Sequence, residues 1–122
     1  MNSIDILKHA AMALNKKKGV DILAVRVGDL TVLTEYFLIV NGTSTTHVRA
    51  LAEEVDEQLK QLGVLPNAVE GRATGWILLD YGSVVVHVFT KEARETYSLE
   101  RLWCDGENVD LTPWLFQEEE QQ

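Results

Sequence analysis

Asp80 and His87, within the stretch "DYGSVVVHVF", are the residues of this chain most suggestive of proton exchange. A glycine leads the centre of that stretch, so Gly82-Ser83 reads as the two-residue turn of a β-hairpin. Tyr81 then faces Val84, Leu79 faces Val86 and Ile77 faces Val88, an apolar face that belongs against a core. The other face carries Trp76, Leu78 and Asp80 beside Val85, His87 and Phe89. This assignment holds only for a two-residue turn. Asp80 and His87 lie diagonally on the mixed face, within reach of a salt bridge or shared hydrogen bond. General acid–base catalysis would also need a nucleophile and a pocket, and neither is signalled. Two other readings stay open: a helix covers the face and the two groups satisfy each other, or the face docks a protein. Aromatic anchors with polar groups setting register suit the docking reading.

The remaining chemistry is weaker. "NGTST" (41–45) follows an apolar run and precedes a helical pattern, as a phosphate cradle would. It lacks the Gly-Lys-Ser/Thr of a P-loop and the three glycines of a dinucleotide fingerprint. No Asp-x-Asp or Asp-x-Glu follows in a plausible strand to hold metal ions, as a nucleotidyltransferase would require. Helix capping by Thr43, Ser44 or Thr45 is the better reading. His9, His47 and His87 are scattered without ligand spacing, so no metal site is expected. Ser44 and Ser83 have no triad signature, and Cys104 has no nucleophile signature around it. No catalytic, cofactor-binding or metal-binding residue is assigned.

These groups must be positioned by one domain. The chain has 122 residues, of which 46% are hydrophobic and 25% charged, enough for one core but not two. A single cysteine excludes an internal disulfide and fits a reducing cytosol. No apolar run is long enough for a membrane span, and Lys16–Lys18 follow the first apolar residues, the reverse of a signal peptide. A cytoplasmic location is expected. The net charge of −8 disfavours naked nucleic acid and favours a basic protein partner.

Ile4, Leu7, Ala11 and Leu14 recur at helical spacing, with Ser3 as candidate N-cap, the three lysines at the C-terminal end and Gly19 as the stop. The lysines read as helix-end charges, with a docking patch as the alternative. Asp21–Thr31 reads as a strand and Tyr36–Val40 as a central strand covered on both faces. Val48, Leu51, Ala52, Val55, Leu59 and Leu62 form the stripe of a second helix, ended by Gly63. A short edge strand follows Pro66, then the hairpin, then one or two short helices in "TKEARETYSLERLW". The expected fold is a small single α/β domain over 1–112, with a mixed, about five-stranded sheet flanked by helices. An acidic tail occupies 113–122.

"EYFLIVNGTSTTHVRALAEEV", "EGRATGWILLDYGSVVVHVF" and "EARETYSLERLW" together resemble the ribosomal silencing factor family, also called Iojap, across roughly residues 4–112. The resemblance implies a nucleotidyltransferase-like fold without the catalytic carboxylates, and no enzymatic activity. It implies binding to the large ribosomal subunit through its ribosomal protein fourteen, which blocks joining of the small subunit and lowers translation when nutrients are short. It also implies that Trp76, Leu78 and Asp80 belong to the docking surface, with Lys91, Arg94 and Tyr97 as neighbours. Glu70, Gly71 and Arg72 open the same signature. "RATGW" and Ser83 depart from the more charged residues common in the family. The other partner candidates are a nucleotide, on the reading of a degenerate nucleotidyltransferase, and a second copy of the chain in a homodimer.

Overall fold

The computed structural model describes residues 1–31, 33–71, 75–102 and 104–115. Helix α1 (Ser3–Lys16) is capped one residue earlier than the sequence suggests: the Asn2 carboxamide oxygen, not Ser3, accepts from the Asp5 N–H. Both residues are good caps, so the choice turns on where the first turn begins. At the other end Lys18 takes a left-handed conformation, φ +62°, and Gly19 donates to the Leu14 carbonyl. Gly19 serves close approach, since a Cβ there would meet Val40 Cγ2 at 2.7 Å. Lys16 and Lys17 lie 3.5 and 3.8 Å from the Glu54 carboxylate, so two of the three lysines tie α1 to the second helix.

Strand β1 (Val20–Arg26) runs antiparallel to β2 (Tyr36–Gly42), with an irregularity between Val20 and Leu23. Helix α2 (Thr45–Gln61) follows, with Ser44 as its cap. It ends in a Schellman arrangement: Val64 N–H bonds to the Leu59 carbonyl and Gly63 N–H to that of Lys60, with Gly63 at φ +83°. Strands β3 (Ala68–Glu70), β4 (Trp76–Asp80) and β5 (Val84–Thr90) come next. Helices α3 (Lys91–Tyr97) and α4 (Leu99–Leu102), strand β6 (Glu107–Val109) and helix α5 (Thr112–Leu115) complete the described chain.

The sheet order is β3-β4-β5-β2-β1-β6, with β2 and β5 parallel and the other pairs antiparallel. This is the expected mixed sheet with one strand more: β6 pairs with the outer edge of β1. The hairpin register follows a two-residue turn, with Ile77 opposite Val88 and Leu79 opposite Val86. Gly82 at φ +82° provides the turn conformation.

The core lies on one side of the sheet. Leu7, Ala10, Ala11 and Leu14 of α1 and Val48, Leu51, Val55 and Leu59 of α2 close over Leu38, Val40, Ile77, Leu79, Val84, Val86 and Val88. Leu111 joins this core, and Trp114 and Leu115 pack against it. Helix α3 lies on the other side, and β2 is covered on both faces where Leu38, Ile39 and Val40 are all fully buried. No helix among the described residues is long and apolar enough to cross a membrane.

Candidate docking face

Strand alternation places Trp76, Leu78 and Asp80 on the sheet face opposite the core, beside Val85, His87 and Phe89. Phe37 of β2 joins them, because it pairs with Val85. Part of this face is closed: Phe89 is fully buried and His87 is 5% exposed. Trp76, Leu78, Asp80 and Val85 are half-buried.

Asp80 and His87 do not form the pair that their diagonal placement allows. Asp80 Oδ1 accepts from Gly82 N–H at 2.8 Å, bracing the hairpin turn. His87 Nδ1 accepts from the Trp76 indole N–H at 3.1 Å. The carboxylate is thus engaged with its own turn, and the imidazole acceptor is taken by the indole. With Nδ1 accepting, the His87 proton sits on Nε2, which is buried without a hydrogen-bond partner among the described residues. Burial pushes the His87 pKa down to about 4, so the ring is neutral. Its ring stands edge-to-face with Phe37 at 5.0 Å and nearly parallel to Phe89 at 6.1 Å.

Tyr97 of α3 extends this cluster outward. Its ring lies 4.5 Å from that of Trp76 between centroids, and the side chain is 51% exposed. Two shallow grooves flank the cluster. One, of about 370 Å³, is bounded by Glu70, Gly71, Trp76, Leu78, Ala93 and Tyr97. The other, of about 390 Å³, runs from Leu33 and Phe37 across Leu78 and Val85 to Glu70 and Asp80. Leu33 is 84% exposed, unusual for a leucine at the rim of an apolar groove.

Trp76, Leu78, Asp80 and Tyr97 therefore come together, with Glu70 and Gly71 beside them. Lys91 and Arg94 border a different cleft, with Val20, Asp21, Asn41, Ser98 and Glu100. Arg94 is turned inward. Its Nε donates to Glu100 at 2.8 Å, and Nη1 donates to the carbonyls of Asp21 (2.7 Å) and Val20 (3.3 Å) and to Asn41 Oδ1 (3.0 Å). Arg72 lies outside the described residues, as do residues 116–122 of the acidic tail. Sequence reading missed Leu33 and Phe37. The loop leucine carries no periodic signal, and Phe37 reads simply as one residue of an apolar strand.

The "NGTST" loop is internally occupied. Thr43 N–H donates to His47 Nδ1 at 2.9 Å, His47 Nε2 bonds to the Lys17 carbonyl at 2.8 Å, and Ser44 Oγ accepts from His47 N–H. The loop thus caps α2 and ties it to the end of α1. Among the described residues no three His, Cys, Asp or Glu side chains gather as a metal site would need.

An α/β domain that presents aromatic and aliphatic groups beside capped or rim carboxylates is equipped to hold a protein surface. The family model described as "Ribosomal silencing factor during starvation" matches residues 1–122. A ribosomal silencing factor from Bacillus subtilis is 42% identical over 112 residues, 91% of this chain and 95% of the relative. The mouse "Mitochondrial assembly of ribosomal large subunit protein 1" is 36% identical over 94 residues, 74% of this chain and 41% of that protein. A crystal structure of a protein from Chromobacterium violaceum superposes with a TM-score of 0.82 at 38% identity, covering 84% of this chain and 87% of that one. The chain belongs to the ribosomal silencing factor family.

Proposed function

We propose that this protein binds the large ribosomal subunit through its ribosomal protein fourteen, using the face around Trp76, Leu78, Asp80 and Tyr97, and so blocks joining of the small subunit. The observation that carries the reading is the open apolar rim of that face: Tyr97 and Leu33 stand exposed around half-buried Trp76, Leu78 and Val85. Family membership supports a silencing role, and the name of the mouse relative links it to assembly of the large subunit. Glu70 and Asp80 at the groove and a net charge of −8 favour a basic protein as the direct contact, since ribosomal RNA would repel this chain. Steric occlusion at a cytoplasmic ribosome requires affinity and position alone, with no chemical step.

Co-sedimentation with purified large subunits tests the reading, followed by addition of small subunits. Tyr97→Ala is a cleaner probe than Trp76→Ala, because Trp76 also holds His87 and its loss mixes stability with contact. Intact protein should sediment with the subunit and reduce joined ribosomes, and Tyr97→Ala should do both less well. Intact protein remaining in the supernatant would defeat the proposal. Sizing the free protein over a range of concentrations shows whether a second copy takes the same face.

A further inference from the structure

Helix α3 has seven residues, none of them fully buried. A helix this short does not hold itself in water, so its orientation depends on its contacts with the sheet. Thr90 caps its start, its side chain accepting from Ala93 N–H. Beyond that cap, Arg94 ties α3 to the sheet through hydrogen bonds. The side chain is 12% exposed and reaches across the end of the sheet to the backbone of β1, to Asn41 of β2 and to Glu100 of α4. The helix lies between two groups of contacts. Arg94 engages the β1 side, while Tyr97 reaches the β4 side and sets its ring against that of Trp76, tilted by 45°. Asp21, whose carbonyl takes the shortest of these backbone bonds, is itself left-handed at φ +51°, so the acceptor is presented at some backbone cost.

We propose that Arg94 is a positioning residue that sets Tyr97 against Trp76, and that it does not touch the partner. Its meaning for function rests on the docking reading, while the positioning itself can be read in the free protein. A planar fork with separated donors satisfies this set of acceptors; a lysine has the charge but not the geometry.

The test uses the nuclear magnetic resonance signal of the Trp76 indole N–H, assigned with Trp76→Phe, and then affinity for purified large subunits. Tyr97→Ala removes the neighbouring ring and should shift that signal. Arg94→Ala should shift it in the same sense, and the double variant should match Tyr97→Ala alone. Glu100→Gln, at a more exposed position, should give a smaller shift of the same sign, and it decides the matter if Arg94→Ala does not fold. In binding, Arg94→Ala should lose about tenfold, a loss that vanishes in the Tyr97→Ala background. Arg94→Lys should bind nearly as poorly as Arg94→Ala. A Trp76 signal unmoved by Arg94→Ala and Glu100→Gln, or unmoved by Tyr97→Ala itself, would overturn the proposal. So would affinity losses that multiply in the double variant, or full binding by Arg94→Lys, since both mark direct charge contact. If intact protein does not bind subunits, the docking reading fails and the indole signal alone judges Arg94.

Discussion

The indole N–H of Trp76 and the Nδ1 of His87 meet at 3.1 Å, on neighbouring strands and two residues out of register. The bond requires a neutral imidazole, because a protonated ring has no acceptor to offer. An unfolded chain takes up this proton near pH 6.5, whereas the folded chain does so only near 4. Between those values the unfolded state binds more protons, so stability falls as pH falls, and above 6.5 the contribution is level. The full effect is on the order of 3 kcal/mol. Urea unfolding at pH 7, 5.5 and 4.5 should show the intact protein losing its advantage over His87→Gln step by step. A constant difference across that range would show that His87 titrates normally.

Asp80 combines two roles that substitution can separate. Asparagine keeps the oxygen that accepts from Gly82 N–H, so Asp80→Asn should leave stability within about 0.5 kcal/mol. Asp80→Ala should cost about 1 kcal/mol, the worth of the lost bond. Both should weaken subunit binding if the negative charge meets a basic partner, and both should flatten its salt dependence. Equal binding by Asp80→Asn and the intact protein would limit Asp80 to bracing the turn.

Leu33 separates docking from folding more sharply still. At 84% exposure it contributes little to the core, so Leu33→Ser should shift stability by less than about 0.5 kcal/mol. Sedimentation with the large subunit should nevertheless weaken severalfold. Unchanged binding would place the contact on the Tyr97 side of the cluster alone.

Two glycines differ in why they are needed. Gly19→Ala drives a methyl group toward Val40 Cγ2 and should cost about 1–3 kcal/mol, less when Val40 is also Ala. Gly63→Ala meets open space but must hold φ near +83°, at about 1–2 kcal/mol. Val40→Ala should relieve the first substitution and leave the second unchanged, as measured by chemical denaturation.

The hairpin register was legible because the turn residues and the period-two pattern agree, and Gly82 does adopt the positive φ its position suggests. The core faces of α1 and α2 were equally legible from helical spacing. Strand β6 was not: "ENV" has little β-propensity, and it becomes a strand because the edge of β1 is open to it. At the candidate site the shared face of Trp76, Leu78 and Asp80 follows from alternation. The partners of Asp80, His87 and Arg94 do not, since each is chosen by distances that only the packed structure sets.

Both margins of the sheet end in three-residue strands, β3 and β6, carrying Glu70 and Glu107. So short a ladder with a like charge on each rim gives a passing copy of the chain little to extend. An aromatic-rich surface can thus face solvent beside sheet edges that offer a passing strand few backbone groups to pair with.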